Sequence, residues 1–305
     1  MKLRRRVVRV LIEAERITDF KNLQQHWSLA PRPACIQVDA AEIDGDRFID
    51  RHAVVGEVVG FQQSAVVLLK VDEHLREIAT HVTFHAGHRF DIESIGRLAH
   101  DKKLYFVIDA MQSVGVVPLD ARAAQASLVA FGCHKGLYVP QGMGALYVRK
   151  GLAELQPAYL AVAGLANPPA DLVARVDNMQ LREDAGRFEI GNFNLPDIHA
   201  LAASLSSVER LGVEQIYEHV LALGDRLIEH LDRLDVGLVG PRERKHRSHI
   251  YVLNLPAQEW VEYLAGENVR VSPERDGIRV SFGFFNTLED VDLFAAIIAR
   301  RQAGG

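Results

Sequence analysis

The feature that most constrains the fold is a pair of short, uninterrupted apolar runs, each followed closely by an ionisable side chain. Leu104–Ile108 leads directly into Asp109, and Leu128–Phe131 ends shortly before Lys135. Continuous apolar runs of this length are typical of strands buried on both faces, as in a parallel sheet covered by helices. Ligands of such sheets bind at the carboxyl ends of the strands, where Asp109 and Lys135 are expected.

Helical and strand-like segments alternate around these two runs. Apolar residues at helical spacing in Asp91–Lys103 predict a helix, and Gly144–Val148 predicts a third strand. Upstream, Val54–Val59 and Ala65–Leu69 are strand-like. The alternation favours an α/β protein with helices covering its sheet.

The second half of the chain begins with two predicted helices. Pro196 can open the first helix, because proline is tolerated in the first turn. The apolar stripe predicted for this helix consists of Ile198, Leu201, Leu205, Val208 and Leu211. The helix after Gly212 has a matching stripe formed by Ile216, Val220, Leu223, Leu227 and Leu231.

The last seventy residues predict a small α+β unit. Ile250–Leu255 and Ile278–Phe282 are strand-like, and helical segments are expected near Gln258–Leu264 and from about Leu288. We therefore expect three parts: an N-terminal part in residues 1–70, a large domain with linking helices in 71–235, and a small C-terminal domain in 236–305.

The pairing of Asp109 with Lys135, 26 positions apart, indicates a particular chemistry. A carboxylate at the end of a buried strand is costly without a partner, and a protonated pyridine nitrogen is one such partner. The pair would keep the ring cationic and make it an electron sink. A nearby lysine can form an imine with the cofactor's aldehyde and later move protons at the substrate's Cα.

These residues lie within three motifs that resemble one family. Asp109–Gly115, His134-Lys135 and Pro140–Gly144 resemble the class V aminotransferases, a family of fold-type I pyridoxal-phosphate (PLP) enzymes, over roughly residues 74–300. The family includes cysteine desulfurases, kynureninases and isopenicillin-N-epimerase-like proteins. The resemblance implies a mainly parallel sheet flanked by helices, a small C-terminal α+β domain and a homodimer.

The resemblance also implies a role for each matching residue. Asp109 would pair with the pyridine nitrogen, and Gln112 would hydrogen-bond the phenolic oxygen of PLP. His134 would approach the phosphate, and Lys135 would form the internal aldimine. Taken alone, Asp109 could instead cap a helix, Gln112 could be a surface residue, and Lys135 is one of 35 basic side chains.

Two later stretches extend the resemblance. Arg187–Asn194 is similar to the loop that reaches the cofactor phosphate, where Asn192 would donate through its amide. The alternative is a helix-entry loop capped by Asn194. Ile278–Phe282 is similar to the segment whose arginine, here Arg279, binds the substrate carboxylate through two parallel hydrogen bonds. A surface salt bridge is the alternative for Arg279.

The expected activity is amino-group transfer on a small amino acid through a Lys135 aldimine and a quinonoid intermediate. A PLP-dependent lyase or epimerase would use the same residues. Residues 1–70 contain no recognisable phosphate-binding turn, so this part is expected to be divergent or truncated, and a degenerate, non-catalytic homologue stays an alternative. Cysteine desulfurase chemistry is disfavoured because Val269–Gly277 contains no cysteine, and Cys133 is expected to pack in the core.

Composition limits the partners. A net charge of −5 offers no general attraction to nucleic acid or an anionic membrane, and no apolar run approaches the ~20 residues that span a bilayer. Two cysteines suit a reducing cytoplasm, where we expect the protein. His246 and His249 have metal-like spacing without further ligands nearby, so no metal site is expected.

Overall fold

A computed structural model describes residues 67–71, 74–173, 179–189, 191 and 194–304. The predicted strand at Val54–Val59 and most of the predicted N-terminal part lie outside the described residues. The predicted strand at Ala65–Leu69 overlaps the first described strand, Val67–Val71.

A five-stranded mixed sheet forms the larger part of the described chain. Its strands are β1 (Val67–Val71), β2 (His74–Thr80), β3 (Tyr105–Asp109), β4 (Leu128–Gly132) and β5 (Gly144–Val148), arranged in sequence order. The central pairs β2–β3 and β3–β4 are parallel, whereas β1 and β5 pair antiparallel at the two edges. The α/β fold class is therefore confirmed, with the parallel part of the sheet at its centre.

The strand register brings the carboxyl ends of the parallel strands together. Asp109 at the end of β3 pairs with Thr80 on one side and Ala130 on the other. Because β2, β3 and β4 run the same way, the loops that follow them leave from one edge of the sheet. These loops contain the residues that the sequence marks for chemistry.

The helix before β3 covers the sheet as predicted. Helix α1 spans Ile92–Asp101, and the side chain of Asp91 caps it by accepting a hydrogen bond from the Ser94 amide at 3.0 Å. Its buried residues, Ile92, Gly96 and Ala99, recur at helical spacing. Ile92 and Ala99 pack in one apolar cluster with Phe106 and Ile108 of β3.

Two long helices follow, and the second one contributes most to the core. Helix α2 (Leu195–Leu211) ends at Gly212, and α3 (Val213–Arg233) begins immediately after it. All five residues of the stripe predicted for α3 are buried.

The stripe predicted for α2 was partly wrong. Ile198, Leu201 and Val208 pack half-buried against the core, but Leu205 and Leu211 are 42% and 46% exposed. Their side chains point away from the face that meets the rest of the described chain, so periodicity alone overestimates their burial.

The C-terminal residues form a second, antiparallel sheet. Its strands are β6 (Leu238–Val239), β7 (Ile250–Leu253), β8 (Ser272–Glu274) and β9 (Gly277–Ser281), in the order β6-β7-β9-β8. Helices α4 (Ala257–Gly266) and α5 (Leu288–Gly304) complete this part, and buried residues of α3, α5 and the sheet share one apolar cluster. The predicted domain boundary near residue 235 stays a prediction.

Candidate active site

A cavity of about 290 Å³ lies where the loops after the large sheet meet the small sheet. Three of the predicted site residues line it: Gln112, Lys135 and Arg279. Asp109 and His134 do not line it, and Asn192 lies outside the described residues.

Asp109 lies at the carboxyl end of β3, where its carboxylate is held by local hydrogen bonds. The Met111 amide donates to Oδ1 at 3.0 Å, and the Thr80 hydroxyl contacts Oδ2 at 3.4 Å. From the sequence we expected a buried carboxylate here, with a partner that offsets the cost of burial. The Asp109 side chain is instead exposed. It is therefore both fixed in place and accessible to a cationic group.

Close packing of two loops brings Gln112 and Lys135 to the same cavity. Gly115, with φ of +87°, packs so tightly that an added Cβ would lie 2.4 Å from the carbonyl oxygen of Gly136. A Cβ on Gly136 would in turn lie 2.4 Å from the Val114 carbonyl. Because only glycine fits both positions, the turn after β3 and the loop after β4 can meet at the cavity.

Lys135 lies half-buried in the loop after β4, and its surroundings favour the neutral amine. Burial lowers the pKa of Lys135, the nearby Arg279 lowers it further, and the Asp109 carboxylate partly opposes both. The Asp109 and Lys135 side chains therefore lie close enough for their charges to interact. A lysine with a lowered pKa has more of the unprotonated form that attacks an aldehyde.

His134 is exposed, and its ring lies beside the backbone at the end of β4. A Cβ on Gly132 would lie 3.0 Å from Nδ1 of this ring and 3.0 Å from the Met111 sulfur. The imidazole thus packs against the strand end and stays accessible to an anionic group such as phosphate.

Arg279 lies on β9 and reaches the cavity from the small sheet. It pairs with Glu274 at 3.0 Å and donates to the Phe84 carbonyl oxygen at 2.9 Å. The salt bridge considered from the sequence is present, and the guanidinium lines the cavity as well. The two interpretations of Arg279 are therefore compatible.

His249 is a cavity residue that sequence reasoning did not select. Its Nδ1 is buried without a hydrogen-bond partner in the described part of the chain. Burial, with Lys135 and Arg279 nearby, lowers the pKa of His249 to about 4, so the imidazole is neutral at pH 7. The antiparallel pairing of β7 with β9 places it there, and that pairing could not be read from a His-x-x-His spacing.

Tyr138 and Phe285 were also missed, and they form an aromatic wall of the cavity. Their rings meet edge to face with centroids 5.7 Å apart, and Phe284 contacts both. Tyr138 has φ of +53°, which is uncommon for a residue with a side chain. The signal available in the sequence is the adjacent pair Phe284-Phe285 after the strand that contains Arg279, and two neighbouring aromatic residues do not by themselves indicate what they contact.

The other histidine of that spacing has a different environment. His246 stacks on His88 with ring centroids 5.3 Å apart. Among the residues that the structure describes, no group of three histidine, cysteine, aspartate or glutamate side chains is arranged to hold a metal ion. None of the described helices combines the length and the apolar character needed to cross a bilayer.

Comparison with known families decides what this arrangement belongs to. The model of the family "Aminotransferase class-V" matches residues 77–294, which is more than half of the chain. The chain belongs to the class-V aminotransferase family. Pyridoxal phosphate is the cofactor of this family, and the resemblance seen in the sequence motifs is confirmed.

Relatives within the class-V aminotransferases have more than one activity in their names. An uncharacterized aminotransferase from Schizosaccharomyces pombe is 32% identical over 235 residues, covering 75% of this chain and 59% of the relative. A probable cysteine desulfurase from Pyrococcus abyssi is 27% identical over 234 residues, covering 72% and 57%.

Solved structures give the same fold. The apo structure of a cysteine desulfurase from Thermococcus onnurineus NA1 has a TM-score of 0.68 and 26% identity, covering 75% of this chain and 60% of that one. The chain therefore spans less than two thirds of the length of each of these relatives.

The residues present fit the cofactor of the class-V aminotransferases. A half-buried amine with a lowered pKa and a side-chain amide line one cavity, and an accessible carboxylate at the same sheet edge acts on that amine. These are the groups that bind an aldehyde, a phenolic oxygen and a protonated ring nitrogen. The chemistry of these three side chains therefore fits the ring of PLP.

The loop predicted to reach the phosphate is fastened by a structural arginine. Arg187 is 5% exposed, and its guanidinium donates to the backbone carbonyl oxygens of Leu152, Leu155, Glu183 and Asp184. Asn194 caps α2 by accepting from the Asp197 amide, as the alternative interpretation predicted. The phosphate contact of Asn192 stays a prediction.

Cys133 is fully buried beside Lys135, as expected. Burial, with a smaller effect of Asp197, raises the pKa of the Cys133 thiol to about 11. Since the thiolate is the nucleophilic form, this cysteine is held in its unreactive state at neutral pH.

Proposed function

We propose that this chain is a PLP-dependent enzyme that transfers the amino group of a small amino acid, with Lys135 as its catalytic residue. The observation that carries the proposal is the shared cavity: an amine of lowered pKa, an amide and a guanidinium converge on about 290 Å³. These groups correspond to the three parts of a PLP-dependent site, which hold the aldehyde, the ring and the substrate carboxylate.

Each residue has a defined task in this proposal. Lys135 would hold the cofactor through Nζ. Once the substrate's amino group has displaced it, the free Nζ would remove the proton from the substrate's Cα and deliver it to the cofactor, which receives the amino group. Asp109 holds the ring nitrogen protonated by charge pairing. Gln112 donates its side-chain N–H to the phenolic oxygen.

The substrate is oriented from the opposite side of the cavity. Arg279 binds the α-carboxylate, so that the Cα–H bond is presented to Nζ of Lys135. When bound, PLP supplies the electron sink that stabilises negative charge at Cα. His134 and Asn192 are proposed to contact the phosphate.

Transfer of sulfur from cysteine is disfavoured within this proposal. The segment 269–277 contains no cysteine, and Cys133 is buried with a raised pKa. Relatives named as cysteine desulfurases make this a necessary test. Sulfide release from L-cysteine by the purified protein would contradict this part of the proposal.

Assembly and location complete the proposal. A homodimer and a cytoplasmic location are inferred from the family resemblance and from the low cysteine content. Sedimentation of the purified protein at several concentrations tests the dimer.

Absorbance spectroscopy tests cofactor binding. The wild-type protein with added PLP is expected to develop an absorbance band at about 420 nm, and Lys135→Ala is expected to lack it. Lys150→Ala, at an exposed lysine, is the matched control and should retain the band. A wild-type protein without the band at excess PLP, or a Lys135→Ala variant that keeps it, would overturn the proposal.

Product analysis separates the reactions that share these residues. Incubation with small amino acids and a keto-acid acceptor is expected to yield a new amino acid and a new keto acid in equal amounts. Ammonia with a keto acid would indicate a lyase, and loss of optical rotation would indicate an epimerase. Either result would replace amino-group transfer as the assigned reaction.

A further inference from the structure

The guanidinium of Arg279 is held by contacts that use only part of its hydrogen-bonding capacity. Nη1 donates to the Phe84 carbonyl oxygen at 2.9 Å and lies 3.0 Å from Glu274 Oε1 in an ion pair. Nη2 contacts the Ser272 hydroxyl at 3.4 Å. The side chain is 26% exposed, so what remains of the fork is accessible.

The donors that remain form one edge of the guanidinium. Arginine has five N–H groups; in the described part of the chain Nη1 and Nη2 have the contacts given above, whereas no contact of Nε is found. Nε and Nη2 form one edge of the guanidinium, on which an N–H of each lies side by side, and Nη1 lies away from that edge. Two parallel N–H groups are the arrangement that binds a carboxylate through both oxygens. The contacts on Nη1 therefore decide which edge Arg279 offers.

Glu274 is itself held by a histidine from the loop that follows β2 of the large sheet. His85, in the loop between β2 and α1, has Nδ1 3.1 Å from Glu274 Oε2 and Nε2 3.0 Å from Asp276 Oδ2. The His85 ring therefore lies between two carboxylates, with one ring nitrogen within hydrogen-bonding distance of each.

The two carboxylates are at the two ends of one short turn. Glu274 ends β8, and Arg275-Asp276 is the two-residue connection to β9. The Arg275 guanidinium bonds Asp276 at 3.1 Å, and Arg275 and then His85 lower the pKa of this carboxyl group, so it is ionised. His85 thus joins this turn to the large sheet through contacts 189 and 191 residues apart in sequence.

We propose that Glu274, anchored by His85, is a positioning residue that turns the Nε/Nη2 edge of Arg279 toward the α-carboxylate of the substrate. The inference rests on the proposed role of Arg279. Glu274 contacts Arg279 through Oε1 and His85 through Oε2, so it holds the guanidinium from the side of Nη1 and leaves the opposite edge accessible. Glu274 is only 12% exposed and has little freedom to leave this position.

If Glu274 acted on substrate binding through its charge alone, its removal would change the affinity for amino acids in the opposite direction. If Glu274 only competed with the substrate for Arg279, its removal would tighten the binding of amino acids. If Glu274 positions Arg279, its removal weakens the binding of molecules with a carboxylate and spares those without one. The sign of the change separates the two interpretations.

Spectral titration of the PLP-loaded protein measures this sign. L-alanine, L-serine and L-cysteine are titrated beside their amides, which lack the carboxylate. Glu274→Ala is expected to weaken binding of the acids about tenfold, without changing the affinity for the amides. Glu274→Gln keeps a neutral acceptor for Nη1 and is expected to give a smaller loss, which guards against an unfolded alanine variant.

Two further variants locate any failure. Arg279→Ala should lose the preference for acids over amides; if it does not, the proposed role of Arg279 fails, and the inference with it. If Arg279→Ala loses the preference but both Glu274 variants bind acids as tightly as wild type or more tightly, only the inference is overturned. Glu209→Gln, at an exposed glutamate on α2, should match wild type throughout.

Discussion

His81 makes the stability of the fold depend on pH. The side chain is fully buried, and neither ring nitrogen has a hydrogen-bond partner in the described part of the chain. Burial, followed by the charge of Arg89, lowers the pKa of His81 from its ordinary 6.5 to about 4. Acidification therefore protonates this histidine in the unfolded chain before it does so in the folded protein.

The sign and the size of the effect follow from these two values. Between pH 6.5 and 4 the unfolded chain binds more protons, so stability falls as pH falls. With the two pKa values above, the loss attributable to His81 between pH 7 and pH 5 is about 2 kcal/mol. His249, whose pKa is also lowered to about 4, contributes in the same direction.

Urea unfolding at pH 7 and pH 5 measures the contribution of His81. His81→Leu removes the titrating group and places an apolar side chain in the core. Between pH 7 and pH 5 the variant should therefore lose about 2 kcal/mol less stability than wild type. His100→Leu is the control, because the His100 side chain is 65% exposed. An equal loss in His81→Leu and wild type would refute the reasoning.

Three further substitutions have defined outcomes. Asp109→Asn would remove the charge-assisted hydrogen bond that we propose to the ring nitrogen, so the PLP dissociation constant should rise about 10- to 100-fold by spectral titration; an unchanged constant would contradict the pairing. Gly115→Ala places a Cβ 2.4 Å from the Gly136 carbonyl oxygen at φ of +87°, and should cost about 1–3 kcal/mol in urea unfolding; a neutral result would contradict the tight loop contact. Asp91→Ala removes the cap of α1 and should cost about 1 kcal/mol, whereas no loss would mean that the cap is not stabilising.

The sequence predicted the parts of the fold that depend on local patterns. The apolar runs before Asp109 and Lys135 are strands β3 and β4, as predicted, but the expected burial on both faces was wrong: Phe106, Ile108 and Val129 are buried, whereas the alternate residues are partly exposed and Ala130 is exposed. Strands β6 and β8 were not predicted, since two and three residues are too short to show a period. The exposure of Leu205 was missed because periodicity shows that a helix has an apolar face without showing what covers it.

The site was predictable only where residues are close in sequence to a strand end. Gln112 and Lys135 follow β3 and β4 directly, and the motif that contains them specified the cavity. His249 and Glu274 reach the same region through the pairing of β7, β8 and β9. Contacts between residues more than 100 positions apart leave no local pattern in the sequence. Local patterns are the only signal that a single sequence offers.

Chemical trapping of the cofactor tests the central claim most directly. The PLP-loaded protein is reduced with borohydride, digested and analysed by mass spectrometry to locate the lysine that has acquired the pyridoxyl group. The account predicts the label on Lys135 and its loss in Lys135→Ala. A label on another lysine, or no stable label on the wild-type chain, would contradict it.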